Sequence, residues 1–318
     1  MKPNQKKETL LVALGGNALI RKGQTGTIEQ QFENLKVPIR QLADISRTHR
    51  IIITHGNGPQ VGNLMLQQES CDAVPRLPLE ILVALTQGQI GYMIESSLDS
   101  QLMAMGIHNK PLVSLISYVV VDEKDPAFQS PTKPIGPIFS QQQAAELPYP
   151  TRKTPKGWRR VVVSPQPVTI VEKREIKKLI QMDFIVICCG GGGIPVIREG
   201  RTFCGVDAVI DKDMASARLA EEVGVDIFMI ATDVKGALLN FGQPGETLLP
   251  ELSPRSARRY KKEGHFPVGS MGPKIEAALQ FVEKKRKRAV ICSIEEIDAA
   301  LEGRAGTQIR PATKKPAH

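Results

Sequence analysis

Aromatic residues are scarce in this chain, 4% of 318 residues. That scarcity argues against one class of function at the outset. Single-stranded nucleic acid is held on aromatic side chains set among basic ones, and the densest basic run, Lys284-Lys285-Arg286-Lys287-Arg288, contains none. It leads into the apolar Ala289-Val290-Ile291-Cys292 and reads as a solvated helix end before a strand. The cluster Arg258-Arg259-Tyr260-Lys261-Lys262 has a single ring. No nucleic-acid partner is expected, and the net charge of +9 is read as suited to acidic small molecules.

Paired cysteines are missing as well. Cys71, Cys188, Cys189, Cys204 and Cys292 are odd in number, form no Cys-x-x-Cys and have no histidine at metal-ligand spacing. They read as reduced thiols, and no protein metal site is expected. No stretch approaches the ~20 apolar residues of a membrane span, and Met1 to Lys7 has no apolar segment of the kind that directs export. The expectation is a cytoplasmic protein with no membrane partner. There is no internal repeat and no low-complexity tract.

Two nucleotide signatures are absent too. No Gly-x-x-x-x-Gly-Lys-Ser/Thr occurs, which excludes a P-loop. The run Gly56-Asn57-Gly58-Pro59-Gln60-Val61-Gly62 imitates a dinucleotide fingerprint, but its third glycine is one residue late. No acidic residue ends a second strand at about 20 residues further on, where a ribose would need it.

What the chain does have is aliphatic content: 41% of it is hydrophobic, mostly Val, Ile, Leu and Ala. Short non-alternating runs of that kind are buried parallel strands. They occur at Leu10 to Leu14, Arg50 to Thr54, Leu112 to Val121, Phe184 to Cys188, Asp226 to Ala231 and Ala289 to Cys292. Between them the pattern predicts helices at Thr27 to His49 with a kink near Pro38, Leu79 to Met105, Arg174 to Gln181, Asp211 to Val223, Pro254 to Glu263 and Pro273 to Lys285. The alternation implies an α/β protein with an open, mainly parallel, doubly wound sheet. Residues 1–318 are read as a single domain. The stretch 122–163, rich in Pro, Gln, Thr and Lys, interrupts the alternation and is read as a small protruding lid subdomain of helix plus hairpin.

Four glycine turns follow strands: Gly15-Gly16-Asn17-Ala18, His55-Gly56-Asn57-Gly58, Gly190-Gly191-Gly192-Gly193 and Thr232-Asp233-Val234-Lys235-Gly236. Ligands of open α/β sheets bind beyond the carboxyl ends of the strands. Glycine there lets an anion approach the backbone, and N–H groups entering a helix present positive dipole to it. The two Gly-Asn turns therefore suggest facing cradles for one phosphate. Lysine in a first helical turn opposes the macrodipole unless an anion sits there, and both Lys212, between Asp211 and Asp213, and Lys274, in Gly272-Pro273-Lys274, are so placed. For Lys274 a solvated lysine and an anion ligand read equally well. Lys133 lies between prolines, as either a surface polyproline segment or a lid cation. Asp213 is either a helix-start charge or an anchor for the lysines. His55 is either a general base or a structural histidine.

Together the segments Ala13 to Leu19, Thr54 to Gly62, Pro131 to Pro137, Gly205 to Asp213 and Gly269 to Lys274 resemble the carbamate kinases of the amino-acid kinase superfamily, over Leu11 to about Ile309. The resemblance implies an αβα sandwich and reversible phosphoryl transfer between carbamoyl phosphate and ADP, giving ATP and carbamate, with Mg2+. It implies that backbone N–H groups of Gly15, Gly16, Gly56 and Asn57, in turns that include Asn17, hold the substrate. Lys212 and Lys274 then neutralise the phosphoryl group and ADP, Asp213 orients them, and Lys133 closes from the lid. Thr232, Asp233, Asn240, Phe241, Gly269, Ser270 and Met271 border the nucleotide. A homodimer is implied as well. The Pro131 to Pro137 segment argues against a kinase for another small carboxylate such as acetylglutamate, and the presence of all three lysines argues against a non-catalytic sensor.

Overall fold

The computed structural model describes residues 7–154, 157–267 and 269–311. The segment Met1 to Lys6 lies outside them. The runs TLLVAL and RIIITH form β1 (Thr9–Leu14) and β2 (Arg50–His55), with α1 (Ile28–Ile45) crossing between. Thr27 starts α1 with a capping box, accepting from Gln30 N while the Gln30 side chain reaches back. Pro38 sits inside the helix. α2 (Gly58–Glu69), which the sequence pattern did not predict, springs from the second glycine turn, and α3 (Leu79–Ala104) follows.

The predicted strand Leu112 to Val121 is two strands in different sheets, β3 (Leu112–Ser114) and β4 (Tyr118–Val121). The chain turns at Ser117, whose N–H donates to Gln87 Oε1 and whose carbonyl accepts from Gln87 Nε2 of α3. Beyond it, β5 (Lys133–Phe139), α4 (Gln141–Glu146), β6 (Thr151–Thr154) and β7 (Gly157–Val162) contribute a three-stranded antiparallel sheet in the order β5-β7-β6.

The chain then runs through β8 (Pro167–Ile170), α5 (Lys173–Gln181), β9 (Ile185–Ile187), β10 (Ile194–Glu199) and β11 (Thr202–Gly205). α6 (Lys212–Val223) leads to β12 (Ile227–Thr232), followed by the short β13 (Leu238–Leu239), β14 (Thr247–Leu248) and β15 (Glu251–Leu252). α7 (Pro254–Lys262), α8 (Met271–Lys285), β16 (Arg288–Ser293), α9 (Ile297–Leu301) and β17 (Thr307–Ile309) complete the described chain.

The main sheet has eight strands in the order β15-β17-β16-β12-β1-β2-β9-β3, parallel except where β17 meets β16. Side chains alternate across it. Leu11, Ala13, Ile52, Phe228 and Ile230 face one core together with residues of α5, α6 and α8. Leu10, Val12, Ile51, Ile53 and Met229 face the other, with α1, α3 and α9. Both faces are covered, so the strands read as continuous apolar runs rather than alternating ones, and the architecture is the expected αβα sandwich. A four-stranded sheet, β11-β10-β4-β8, lies beside it and shares a third apolar cluster with α2, α3 and Ile135 of β5.

Candidate active site

Strands β12, β1, β2 and β9 are adjacent and parallel, so all four glycine turns emerge on one edge of the sheet. The first two turns touch. A Cβ on Gly56 would lie 3.6 Å from Gly16 N and 3.4 Å from Lys212 Cδ, so the lysine side chain passes over the second turn beside the first. A Cβ on Gly15 would lie 3.0 Å from the Ala231 carbonyl oxygen. Two of the four predicted cradle N–H groups are engaged within the protein: Gly15 N donates to Ala231 O at 2.8 Å and Gly56 N to Leu14 O at 3.2 Å. Strand continuity takes these donors, and the two glycines serve close approach. Ala18 N and Val61 N are taken as well, by Gly15 O and Asn57 O at 2.9 Å each, and Pro59 has no N–H, so in the turn Gly16–Ala18 and the first turn of α2 the backbone donors left for an anion are those of Gly16, Asn17, Gly58 and Gln60. The Asn57 side chain does not cap α2 but donates to Thr86 Oγ1 at 2.9 Å.

The tetraglycine turn is a floor. Gly191, Gly192 and Gly193 have φ of +66°, +96° and +87°, and side chains there would strike Asn57, the Ile210 carbonyl and Val119. Gly190 lies against the His55 ring. Burial pushes His55 down to about 4, and its Nδ1 lies 3.2 Å from Gly56 O. The imidazole is neutral and only 1% exposed, with Gly190 against the ring, and this enclosure favours the structural histidine.

Lys212 begins α6 and Lys274 lies in the first turn of α8. The two helices pack side by side, and both ammonium groups meet one carboxylate: Lys212 Nζ is 2.5 Å from Asp213 Oδ1, Lys274 Nζ 3.1 Å from Asp213 Oδ2. Asp213 is 3% exposed. Burial alone would raise its pKa, but the two lysines hold it far below the usual carboxylate range. Burial and the neighbouring Lys274 lower Lys212 despite Asp213; in Lys274, Asp213 outweighs burial and the pKa rises. Two cations around one buried carboxylate leave a local excess of positive charge beside both glycine turns. Such a site suits an anion.

Lys133, at the start of β5, reaches the same place from the three-stranded sheet and pairs with Asp211 Oδ2. Asp211 was not among the residues singled out from the sequence. It caps α6, its Oδ1 accepting from Asp213 N at 2.9 Å and Met214 N at 3.3 Å. An Asp before a helical run is a cap signal, but nothing in the sequence links it to a lysine 78 positions away.

On the other flank, Thr232 ends β12 beside Gly15 and donates to Asp233 Oδ1 at 3.1 Å. Asn240, with φ of +52°, and the 53% exposed Phe241 lie on the turn after β13. Gly269 and Ser270 are exposed ahead of α8, which starts at Met271, two residues earlier than the pattern predicted. Of these, Thr232 lies against Gly15 and Asp233 is near enough to Lys274 to raise its pKa.

A fold with paired glycine turns and lysines at its strand ends defines a phosphotransferase scaffold, and the comparisons agree with it. The amino acid kinase family model matches residues 8–293. The chain is 47% identical over 310 residues to a carbamate kinase of Thermococcus kodakarensis, covering 94% of this chain and 98% of that one. It is 46% identical over 311 residues to that of Pyrococcus furiosus, covering 95% and 99%. Among solved structures, the carbamate kinase from Giardia lamblia bound to AMP-PNP superposes with a TM-score of 0.88 at 38% identity, covering 96% of this chain and 99% of that one. The chain therefore belongs to the amino acid kinase family and stands within it among the carbamate kinases. It is a kinase, and so a phosphotransferase.

Proposed function

We propose that the chain transfers a phosphoryl group reversibly between carbamoyl phosphate and ADP, giving ATP and carbamate. The observation that carries this reading is the Lys212–Asp213–Lys274 arrangement beside the Gly16 and Gly56 turns. A β-phosphate oxygen of ADP attacks the phosphorus of carbamoyl phosphate, the bond from phosphorus to the carbamate oxygen breaks, and carbamate leaves as an anion. No general base is needed. Phosphoryl transfer is mainly positioning and charge stabilisation, and the residues divide those tasks.

The turns Gly15-Gly16-Asn17 and Gly56-Asn57 cradle carbamoyl phosphate. Lys212 and Lys274 neutralise the migrating phosphoryl group and the ADP phosphates, and Asp213 keeps the two from repelling each other apart. Lys133 arrives on 122–163, which acts as a lid and keeps water from labile carbamate. Thr232, Asp233, Asn240, Phe241, Gly269, Ser270 and Met271 border the nucleotide. Mg2+ enters with the nucleotide, held by its phosphates. Both oxygens of Asp213 are already taken by lysines, and Mg2+ is commonly carried this way rather than in a protein cage.

The same reading includes a homodimer. Ile81, Leu85 and Tyr92, along one stripe of α3, are 42%, 49% and 66% exposed, and Tyr118 and Phe203 stack edge-on at 6.5 Å on the neighbouring four-stranded sheet, 39% and 41% exposed. Exposed apolar side chains of this kind suit a second copy. A cytoplasmic location rests on the five free thiols. No described helix is long and apolar enough to cross a membrane.

The test is direct. Protein mixed with MgADP and carbamoyl phosphate is expected to form ATP well above the spontaneous background, followed by luminescence. ATP at background would overturn the reading.

A further inference from the structure

Asp213 is saturated by Lys212 and Lys274, which leaves Asp211 as the neighbouring carboxylate for the third lysine. Its orientation is not free. The α6 N–H groups of Asp213 and Met214 fix Oδ1, and so aim Oδ2 outward at Lys133. The pair is partly shielded, the two side chains being 19% and 34% exposed. Burial would raise Asp211, but the Lys133 ammonium beside it keeps it ionised.

The rest of the three-stranded sheet is fastened elsewhere. Arg160 pairs with Glu69 of α2 at 2.5 Å. The Gly136 backbone packs directly on Gly62 of α2, where any side chain would collide. Arg159 holds the Gly136 carbonyl through Nε at 3.1 Å and Nη2 at 2.7 Å. The first two contacts set the sheet on α2, the third ties β7 to β5 within it, and none says where Lys133 points. Val209 N, ahead of α6, donates to Val163 O just past β7 at 3.1 Å, and Asp211 supplies the side-chain link that reaches Lys133.

We infer that Asp211 is a positioning residue, whose capped carboxylate holds Lys133 in register with Lys212 and Lys274 so that three cations face one phosphoryl group. This rests on the role given to Lys133 above. The bland alternative is that Asp211 only caps α6. Asn and Ser cap helices about as well as Asp but carry no charge, so Asp211→Asn and Asp211→Ser separate the two.

The experiment combines amide hydrogen exchange of the substrate-free protein with kinetics, in both variants, in Lys133→Met and in the double variants. Each single substitution is expected to speed exchange across 133–139 several-fold and to lower kcat/KM for carbamoyl phosphate on the order of tenfold, with KM for ADP unchanged. The double variants should be no worse than Lys133→Met. Unchanged exchange across 133–139, or kinetic losses that multiply in the doubles, would overturn the inference. A wild-type protein that makes no ATP would overturn the substrate reading instead, since the exchange measurement needs no substrate.

Discussion

Two platforms bring lysines to this site, and they differ in kind. Lys212 and Lys274 stand on helices packed against the main sheet, 13% and 17% exposed, on opposite oxygens of one buried carboxylate. Lys133 stands on a small antiparallel sheet, is 34% exposed, and meets a carboxylate that is already a helix cap. The first arrangement is permanent charge: like cations remain close because Asp213 lies between them. The second is held by a surface of contact with α2 and one ion pair, and on the function proposed above it is an adjustable cation. Substrate can enter past such a group and then be closed in by it.

The sharpest way to break this comparison is to remove each lysine. Lys212→Ala and Lys274→Ala are each expected to lower kcat by about a hundredfold to a thousandfold, the scale for losing one preorganised electrostatic contact, with melting temperatures near wild type. Lys133→Met should lower kcat less and raise KM for carbamoyl phosphate more. Initial rates with both substrates varied decide it, and an equal pattern in all three would erase the distinction.

Asp213→Asn should act on the fold as well. It leaves two buried ammonium groups facing a neutral amide, and a broken buried ion pair costs about 3–5 kcal/mol, measurable by denaturant unfolding. Asp211→Asn retains the cap and should cost under ~1 kcal/mol by the same measurement. Similar losses would mean the two carboxylates are not distinct in role.

A further expected effect is on pH. His55 is depressed to about 4 in the folded chain, against about 6.5 when unfolded. Between those values the unfolded chain binds the proton and the native one does not, so stability falls as pH drops from 6.5 towards 4. The full effect is on the order of 3 kcal/mol. His55→Gln should flatten that part of a stability–pH curve, and an unchanged slope would show that the ring is not the group responsible.

Much of this was legible in advance because the parallel strands are buried on both faces. Runs such as Leu10 to Leu14 and Arg50 to Thr54 have no polar alternation to confuse them, and the helices with strong starts, Thr27 and Asp211 among them, begin where expected. The strand read from Leu112 to Val121 was divided because composition cannot see the Gln87 hydrogen bonds that turn the chain at Ser117. The four-stranded sheet was hidden by short strands carrying Pro167 and Pro195, and α2 by the glycines and proline at its start. In the site, Lys212, Lys274 and Asp213 were readable as charges in first helical turns. The Lys133–Asp211 pair and the Gly62–Gly136 contact were not, since both depend on approaches between segments far apart in sequence. That Gly15 and Gly56 give their N–H groups to neighbouring strands is likewise a tertiary fact.

The central claim is that three lysines converge on one phosphoryl group between the two Gly-Asn turns. A crystal structure with MgADP and a planar fluoride mimic of the migrating group tests it most directly. The expected result places the mimic between Gly16 and Asn57, with Lys212 and Lys274 Nζ within about 2.7–3.2 Å of its anionic atoms and Lys133 closing over it. A mimic bound away from those turns, or lysines still directed only at Asp213 and Asp211, would contradict it.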